Sequence, residues 1–262
     1  MNKIEKIRAK KGKGKITMLT CYDYSFSRVL EEAGIDIILV GDSLANVVLG
    51  LDDTRQVSAE EMFNHTRAVC EAAKKTPVVA DMPYATYQKD TDKCLRNAEK
   101  FMEMGADAVK VEWFKDCPAV VDILVKAGIP VMGHIGLTPQ TVHLLGGYRV
   151  QGKDEPSASR IKEQAKILED KGSFSLVLEC IPSQLASAIT GELKIPTIGI
   201  GAGRFCDGQV LVLYDIIGLY RDKKPRFVRA YMNLSRELEE AVLKFKEDVE
   251  KGVFPSPEES YR

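Results

Sequence analysis

Short apolar, often β-branched segments alternate with longer stretches of helical periodicity along most of the chain. Seven of them are predicted as strands, and an eighth is weaker: Ile16–Leu19, Ile35–Val40, Pro77–Ala80, Ala108–Val111, Ile129–Gly133, Ser175–Leu178, Ile195–Ile200 and the weaker Gln209–Tyr214. Nearly all-apolar strands separated by helices indicate a parallel sheet that helices cover. Eight such units predict an α/β fold, a closed (β/α)₈ TIM barrel rather than an open doubly wound sheet.

The segments between the strands have the spacing of amphipathic helices. The predicted helices are Tyr24–Ala33, Ala59–Lys74, Lys93–Met104, Ala119–Ala127, Ser159–Lys171 and Ser183–Thr190, with a further one at Met232–Gly252. Four glycines fall just after predicted helices, where a left-handed cap favours this residue: Gly34, Gly105, Gly128 and Gly172. The clearest polar loop is predicted at Gln151–Ser159.

The length of 262 residues and a hydrophobic content of 45% suit one large core, so we expect a single barrel domain over residues 1–262. The lysine-rich residues 1–15 are expected to form a flexible, solvated arm, and residues 232–262 a C-terminal helix and tail. An apolar stripe is predicted along that helix: Leu238, Val242, Phe245 and Val249.

Charge and hydropathy exclude two classes of partner. The chain has 37 Lys+Arg against 38 Asp+Glu, which is not the basic balance typical of nucleic-acid binding. The longest apolar runs fall short of the roughly 18 residues that a membrane span needs. Six cysteines without a CxxC pair favour reduced thiols over a disulfide framework or zinc site. We therefore expect a cytoplasmic protein without nucleic-acid or membrane partners.

Ionisable residues stand at the ends of five predicted strands: Asp42, Asp81, Glu112, His134 and Glu179. In a barrel, the C-terminal ends of all strands meet at one mouth, where enzymes of this fold place their chemistry. Residues far apart in the sequence are therefore expected to converge there. Lys110 and Glu112 lie two positions apart within DAVKVEWF, so both point into the same space.

Each of these residues also has a purely structural explanation. Lys110 and Glu112 could form an internal ion pair, and Asp42 or Asp81 alone could cap the following turn. Five such strand ends together favour a functional site. Burying several carboxylates together is costly unless a cation neutralises them, and an oxygen-only set favours a hard ion such as Mg²⁺ over zinc.

Other motifs are less specific. GIGAG at residues 199–203 lacks the full GxGxxG spacing, and a tight loop is the preferred interpretation. Asp23 and Asp215 follow the first and last strand candidates, where capping explains them equally well. His143 follows the fifth strand and is left without a role.

A series of motifs resembles the ketopantoate hydroxymethyltransferase family nearly from end to end: MLTCYDYSF, LVGDSLANVVLG, ADMPY, GADAVKVE, PVMGHIGLTPQ, GGYRVQGK, LVLECIP, IPTIGIGAG and DGQVLV. The resemblance implies a (β/α)₈ barrel that assembles as a homodecamer and uses Mg²⁺. It implies transfer of a hydroxymethyl group from 5,10-methylenetetrahydrofolate to 3-methyl-2-oxobutanoate in pantothenate biosynthesis. The chain departs from many members at WF after Glu112 and in the tail FPSPEESYR.

The resemblance also implies roles for individual residues. Asp42 and Asp81 would bind the metal, with Glu112 associated with it directly or through water. Glu179 would be the proton acceptor. The implied substrate-binding residues are Asp42, Ser43, Asp81, Lys110 and His134.

Two other functions are compatible with the residues. In one, a lyase or aldolase of similar barrel form uses Lys110 to form a Schiff base with its substrate. In the other, the chain is a non-catalytic, metal-binding barrel within an assembly.

Overall fold

The computed structural model describes residues 1–88, 90–220 and 225–261. The chain comprises two compact units, Met1–Val212 and Leu213–Arg262. The first unit holds the barrel and the second holds the C-terminal helix. The expectation of one domain over residues 1–262 stays a prediction.

A closed barrel of parallel strands in sequence order forms the first unit, with the last strand pairing with the first. The strands are β1 Ile16–Thr20, β2 Ile37–Val40, β3 Val78–Asp81, β4 Ala108–Glu112, β5 Val131–Gly136, β6 Ser175–Glu179, β7 Thr197–Ile200 and β8 Gly208–Leu211. The predicted (β/α)₈ TIM barrel is confirmed, including its weaker eighth strand.

Helices connect these strands in the first unit, and the last two α-helices of the chain lie in the second unit. The α-helices are α1 Lys3–Arg8, α2 Tyr24–Glu32, α3 Leu44–Val47, α4 Ala59–Ala72, α5 Thr91–Glu103, α6 Cys117–Lys126, α7 Glu155–Asp170, α8 Ser183–Glu192, α9 Leu213–Ile216 and α10 Leu234–Glu250. Short 3₁₀ helices lie at Thr54–Gln56, Tyr84–Thr86, Pro139–Thr141 and Pro257–Glu259. No helix within the described ranges is both long and apolar enough to cross a membrane.

Side-chain caps explain where several helices begin. Asp23 accepts a hydrogen bond from the Phe26 N–H at 2.9 Å and caps α2, as the capping interpretation predicts. Asp154 caps α7 in the same way through the Ser157 N–H at 2.9 Å. The polar loop predicted at Gln151–Ser159 is therefore shorter than expected, because its second half is the first turn of α7.

In place of the expected flexible arm at residues 1–15, the structure has helix α1. Asn2 caps it through a reciprocal capping box with Glu5. Ile4 and Ile7, three residues apart, are only 8% and 4% exposed and join the apolar interior of the barrel. This interior includes Ile16, Met18, Ile37, Leu39, Val79, Ala108, Met132, Phe174, Val177, Ile198 and Val210. The amphipathic spacing of Ile4 and Ile7 was not recognised as a helix because the segment is rich in lysine.

In the second unit, α10 confirms the predicted C-terminal helix with slightly shorter bounds. Ser235 in its first turn donates to the Gly218 carbonyl at 2.8 Å. Phe245 contacts Phe254 edge to face, with ring centroids 5.6 Å apart. The predicted apolar stripe lies on solvent-exposed side chains, Leu238, Val242, Phe245 and Val249.

Candidate active site

The register of the sheet brings charged residues of neighbouring strands together at the C-terminal mouth of the barrel. Asp81 of β3 pairs with Lys110 of β4, and Glu112 of β4 pairs with His134 of β5. Glu179 ends the next strand, β6. The first four are at most 5% exposed, whereas the Glu179 side chain is 15% exposed. The structure thus brings together these residues predicted from the strand ends.

Lys110 lies at the centre of this group. Its Nζ is 2.9 Å from Asp81 Oδ1 and 3.3 Å from His134 Nδ1. Burial alone lowers the pKa of Lys110, but the carboxylates of Asp81, Glu112 and Asp42 outweigh burial and raise it. The amine is therefore a fixed positive charge. An amine in this state is a poor nucleophile, which disfavours the Schiff-base chemistry.

His134 lies between two glutamates. Its Nδ1 is 3.3 Å from Glu112 Oε1, and its Nε2 is 3.2 Å from Glu179 Oε2. Burial and the charge of Lys110 lower the pKa of His134, but the two carboxylates outweigh them and raise it to about 9. The two carboxylates therefore favour the protonated form of the ring. The ring connects the buried Glu112 to the more exposed Glu179.

Asp42 and Asp81 lie side by side at the ends of β2 and β3. The Asp42 backbone N–H donates to Asp81 Oδ2 at 3.0 Å. Burial, followed by the charge of Glu112, raises the pKa of Asp42 to about 6. Burial also raises the pKa of Asp81, although Lys110 opposes it. Both shifts reflect the cost of confining carboxylates in a buried space.

Carboxylate oxygens at the mouth match the donor chemistry of a hard cation. Glu112 Oε1 is buried, and its contact with His134 Nδ1 at 3.3 Å is an ion pair without hydrogen-bond geometry, so this oxygen has capacity for a further partner. Within the described ranges, no three His, Cys, Asp or Glu side chains converge in a metal-binding arrangement. Mg²⁺ in enzymes commonly keeps several waters and uses only one or two carboxylates plus substrate. The residues present therefore fit Mg²⁺ but do not form an all-protein cage.

Ser43 follows Asp42 and immediately precedes α3. Its Oγ lies 2.8 Å from the hydroxyl of the buried Tyr22. A Cβ at the preceding Gly41 would lie 3.0 Å from Ser43 Oγ and 3.6 Å from Asp81 Oδ2. Glycine at this position lets the two strand ends approach each other closely.

Gln140 and Tyr87 were missed by the sequence reasoning. The Gln140 Nε2 donates to Asp42 Oδ2 at 2.9 Å, and its backbone N–H donates to Glu112 Oε2 at 2.9 Å. Its Oε1 accepts from the Tyr87 hydroxyl at 2.5 Å. One buried residue therefore orients two of the predicted metal-associated carboxylates, Asp42 through its side-chain amide and Glu112 through its backbone N–H. Gln140 stands in the PVMGHIGLTPQ motif, which was the only available signal.

The less specific candidates lie outside this group. His143 is exposed, and its Nδ1 lies 3.2 Å from Arg55 Nη1. The GIGAG segment ends β7 and turns sharply, with φ of +62° at Gly201 and +79° at Gly203. A Cβ at Gly203 would lie 2.4 Å from Ser183 Cβ. The interpretation of this motif as a tight loop is confirmed.

A family model described as ketopantoate hydroxymethyltransferase matches residues 1–257. The 3-methyl-2-oxobutanoate hydroxymethyltransferase of Thermotoga neapolitana is 51% identical over 255 residues, covering 97% of this chain and 94% of that protein. The enzyme of the same name from Syntrophus aciditrophicus is 50% identical over 257 residues, covering 97% and 94%.

Solved structures share the fold at much lower identity. A phosphonopyruvate hydrolase in complex with oxalate and Mg²⁺ has a TM-score of 0.64 at 14% identity, covering 99% of this chain and 93% of that one. This likeness supports the barrel architecture alone.

Proposed function

The chain belongs to the ketopantoate hydroxymethyltransferase family, and we propose that the charged group at its barrel mouth carries out the reaction of that family. It is an enzyme that transfers a hydroxymethyl group to 3-methyl-2-oxobutanoate, giving 2-dehydropantoate for pantothenate biosynthesis. One observation carries the assignment of roles: buried Asp81, Lys110, Glu112 and His134 form a contiguous charged set that reaches the partly exposed Glu179.

Mg²⁺ is proposed as the cofactor, held by Asp42 and Asp81 with Glu112 beside it. The donor set supports this assignment because all three side chains offer hard oxygen atoms. When bound, the ion supplies Lewis-acid chemistry, chelating the 2-oxo acid and stabilising the negative charge of its enolate. Gln140 holds Asp42 and Glu112 in place through two 2.9 Å hydrogen bonds.

The keto acid is proposed to bind among Asp42, Ser43, Asp81, Lys110 and His134. Lys110 and His134 contribute positive charge, which favours an anionic substrate and its more strongly charged enolate oxygen. Their side chains are fixed by buried ion pairs, so little reorganisation accompanies the reaction. The Ser43 hydroxyl, held by Tyr22, offers a hydrogen bond to the substrate.

Glu179 is proposed as the general base that removes the C3 proton of 3-methyl-2-oxobutanoate. It ends β6 at the mouth and is the most exposed member of the charged set, so it can approach bound substrate. His134 Nε2, 3.2 Å away, orients the carboxylate. The electron pair of the broken C–H bond moves into the enolate.

We propose 5,10-methylenetetrahydrofolate as the donor of the one-carbon unit. The methylene carbon is bonded to two folate nitrogens, and water takes their place: both carbon–nitrogen bonds break, tetrahydrofolate leaves, and the one-carbon unit remains at the oxidation level of formaldehyde. The enolate carbon attacks this carbon, forming the new carbon–carbon bond, and the resulting alkoxide takes the proton held by Glu179. Each atom of the transferred hydroxymethyl group is thus accounted for.

The test is turnover of 3-methyl-2-oxobutanoate with 5,10-methylenetetrahydrofolate, with and without Mg²⁺. We expect 2-dehydropantoate only when all three are present. Borohydride added with the keto acid should leave no adduct on Lys110, because a protonated, ion-paired amine does not form an imine. Metal-independent turnover, or a covalent Lys110 adduct, would contradict the proposal.

A homo-oligomer, by family resemblance a decamer, is proposed as the assembled state. The exposed apolar stripe of α10 supports self-association, since large apolar side chains at helical spacing favour burial against another surface. Light scattering of the wild type and of Phe245→Glu tests this, and a smaller assembly is expected for the variant. The cytoplasmic location stays a prediction.

A further inference from the structure

A cavity of about 320 Å³ lies on the rim of the mouth, between the loops that follow β4 and β5 and helix α7. Much of its lining is aromatic or aliphatic: Trp113, Phe114, Leu144, Leu145 and Ile161. Its volume falls in the range of small-molecule sites. Its described lining includes none of the residues proposed to bind metal or keto acid, so the cavity has room for a second ligand.

Backbone contacts fix this cavity beside the proposed chemistry. The Trp113 N–H donates to the His134 carbonyl at 2.8 Å. Gly136, another lining residue, pairs with Glu179 in the β5–β6 register. The Gln151 N–H donates at 2.8 Å to the carbonyl of the residue after Glu179. A ligand in the cavity therefore lies next to the strand end that carries the proposed base.

Two adjacent aromatic rings form one wall. Trp113 and Phe114 directly follow Glu112, at the position where the chain departs from many family members. Phe114 is braced by the buried Tyr87, with ring centroids 5.5 Å apart at 66°. Such a wall favours a flat, aromatic ligand over an aliphatic keto acid.

The cavity continues into a second one of about 390 Å³ with a different character. The two share Gln151, Gly152, Ser157 and Arg160. Arg149 and Lys153 add two exposed cations to Arg160 in the second cavity. Asp154 also lines it, but its carboxylate already accepts hydrogen bonds from the N–H and Oγ of Ser157. Three cationic side chains, with one carboxylate that is already hydrogen-bonded, favour the binding of an anionic group of a ligand.

We propose that the first cavity binds the ring end of the folate co-substrate and the second binds its carboxylate tail. The inference rests on the proposed function, because that reaction requires a folate donor. A folate joins a flat heteroaromatic ring system to a glutamate tail, which matches an aromatic wall followed by a cationic one. The ring end then lies beside Glu179, where the enolate carbon forms.

The chain provides its own probe, because Trp113 is its single tryptophan. Titration with tetrahydrofolate should quench its fluorescence saturably in the full-length enzyme. Arg160→Glu should weaken this binding by about tenfold or more, since it replaces a charged donor by a repelling carboxylate. The matched control is Arg67→Glu, an exposed arginine on α4 far along the chain from both cavities, which should bind with wild-type affinity.

Calorimetry with Trp113→Ala is the second measurement and does not depend on fluorescence. We expect weaker tetrahydrofolate binding here as well, with wild-type helix content by circular dichroism. Wild-type affinity in both Arg160→Glu and Trp113→Ala, or equal loss in Arg67→Glu, would overturn the location.

Solvent exchange of the keto-acid C3 hydrogen, measured in the wild type without folate, separates the two proposals. If the wild type exchanges but neither cavity variant alters folate affinity, the folate location fails while the proposed base chemistry stands. If the wild type does not exchange but both variants weaken folate binding, the base chemistry fails while the folate location stands.

Discussion

Three aspartates at the N-terminal end of the barrel each pair with a lysine from the first eleven residues: Asp36 with Lys10, Asp107 with Lys3 and Asp207 with Lys11. Each also accepts a 2.9 Å hydrogen bond from the backbone N–H of a neighbouring strand, at Thr17, Val78 and Thr197 respectively. Burial opposes the charged forms, but these donors outweigh it and lower the pKa of Asp36 and Asp207.

The aspartates at the mouth are in the opposite situation. Burial raises the pKa of Asp42 to about 6 and also raises that of Asp81. The Glu112 carboxylate adds to the rise in the pKa of Asp42, and Lys110 only partly opposes the rise in the pKa of Asp81. The carboxylates at the N-terminal end of the barrel are thus stabilised by backbone N–H groups and lysines. The carboxylates at the mouth are less stabilised in their charged form, which favours binding of a cation. The first arrangement favours stability and the second favours binding and chemistry.

The largest effect is expected for Asp42→Asn. Activity should fall by more than about 100-fold. Removal of a residue that only hydrogen-bonds to a metal ligand typically costs about 10- to 100-fold, and loss of the ligand itself should cost more. The free energy of unfolding at pH 7 should rise or stay level, because the variant no longer confines a charge in a buried site. Steady-state kinetics and urea denaturation measure both. Asp52→Asn, an exposed aspartate, is the control, and a variant that loses stability along with activity would break the comparison.

Gln140→Leu should lower Mg²⁺ affinity or activity by about 10- to 100-fold, because leucine lacks the side-chain amide that orients Asp42. Tyr87→Phe should have the same direction with a smaller effect, since it removes only the hydroxyl that positions the amide. Calorimetric titration with Mg²⁺ and the keto acid checks both. Gln184→Leu, an exposed glutamine, serves as control, and wild-type Mg²⁺ affinity in Gln140→Leu would contradict the positioning role.

At the other end of the barrel, Asp207→Asn should lower the free energy of unfolding by about 1–3 kcal/mol while leaving kcat unchanged. The variant weakens bonds to Lys11, Gly12 and Thr197. Asp36→Asn should cost less, because the Asp36 side chain is 20% exposed against 7% for Asp207. Urea denaturation gives the stabilities. A loss of kcat without a loss of stability would mean that the two ends do not differ as described.

The smallest effects are expected in the pH dependence of stability of the metal-free protein. Since the folded pKa of Asp207 is lowered, its contribution is present above the ordinary value of 3.8 and is lost as pH falls through the folded pKa. For Asp42, whose folded pKa is raised, the cost grows as pH rises from 3.8 to about 6. The stability differences of the two Asn variants from wild type should therefore have opposite signs. Equal signs in denaturation at pH 3 to 7 would contradict this.

The barrel and much of its mouth were predictable from sequence because both follow from strand periodicity. An ionisable residue at the end of an apolar strand is easily recognised in the sequence, as at Asp81, Glu112 and Glu179. The aspartates at the N-terminal end of the barrel cannot be recognised in this way, since Asp36 and Asp107 stand just before strands, where a polar residue is common. Their lysine partners lie in a segment expected to be solvated.

Gln140 could not have been assigned from sequence for a different reason. Its role depends on a 3₁₀ turn that directs its amide and its backbone N–H toward two other strands. No periodicity encodes that direction. The same holds for the cavities at the rim, because three separate segments of the chain form their walls.

The most direct test of the account is exchange of the C3 hydrogen of 3-methyl-2-oxobutanoate with deuterated solvent, followed by NMR without folate. This isolates proton removal from carbon–carbon bond formation. The wild type should exchange in a Mg²⁺-dependent way, and Glu179→Gln should slow exchange by about 10²- to 10⁴-fold while still binding metal and keto acid. Wild-type exchange by Glu179→Gln would show that another group takes the proton, and His134, 3.2 Å away, would then be the next to substitute.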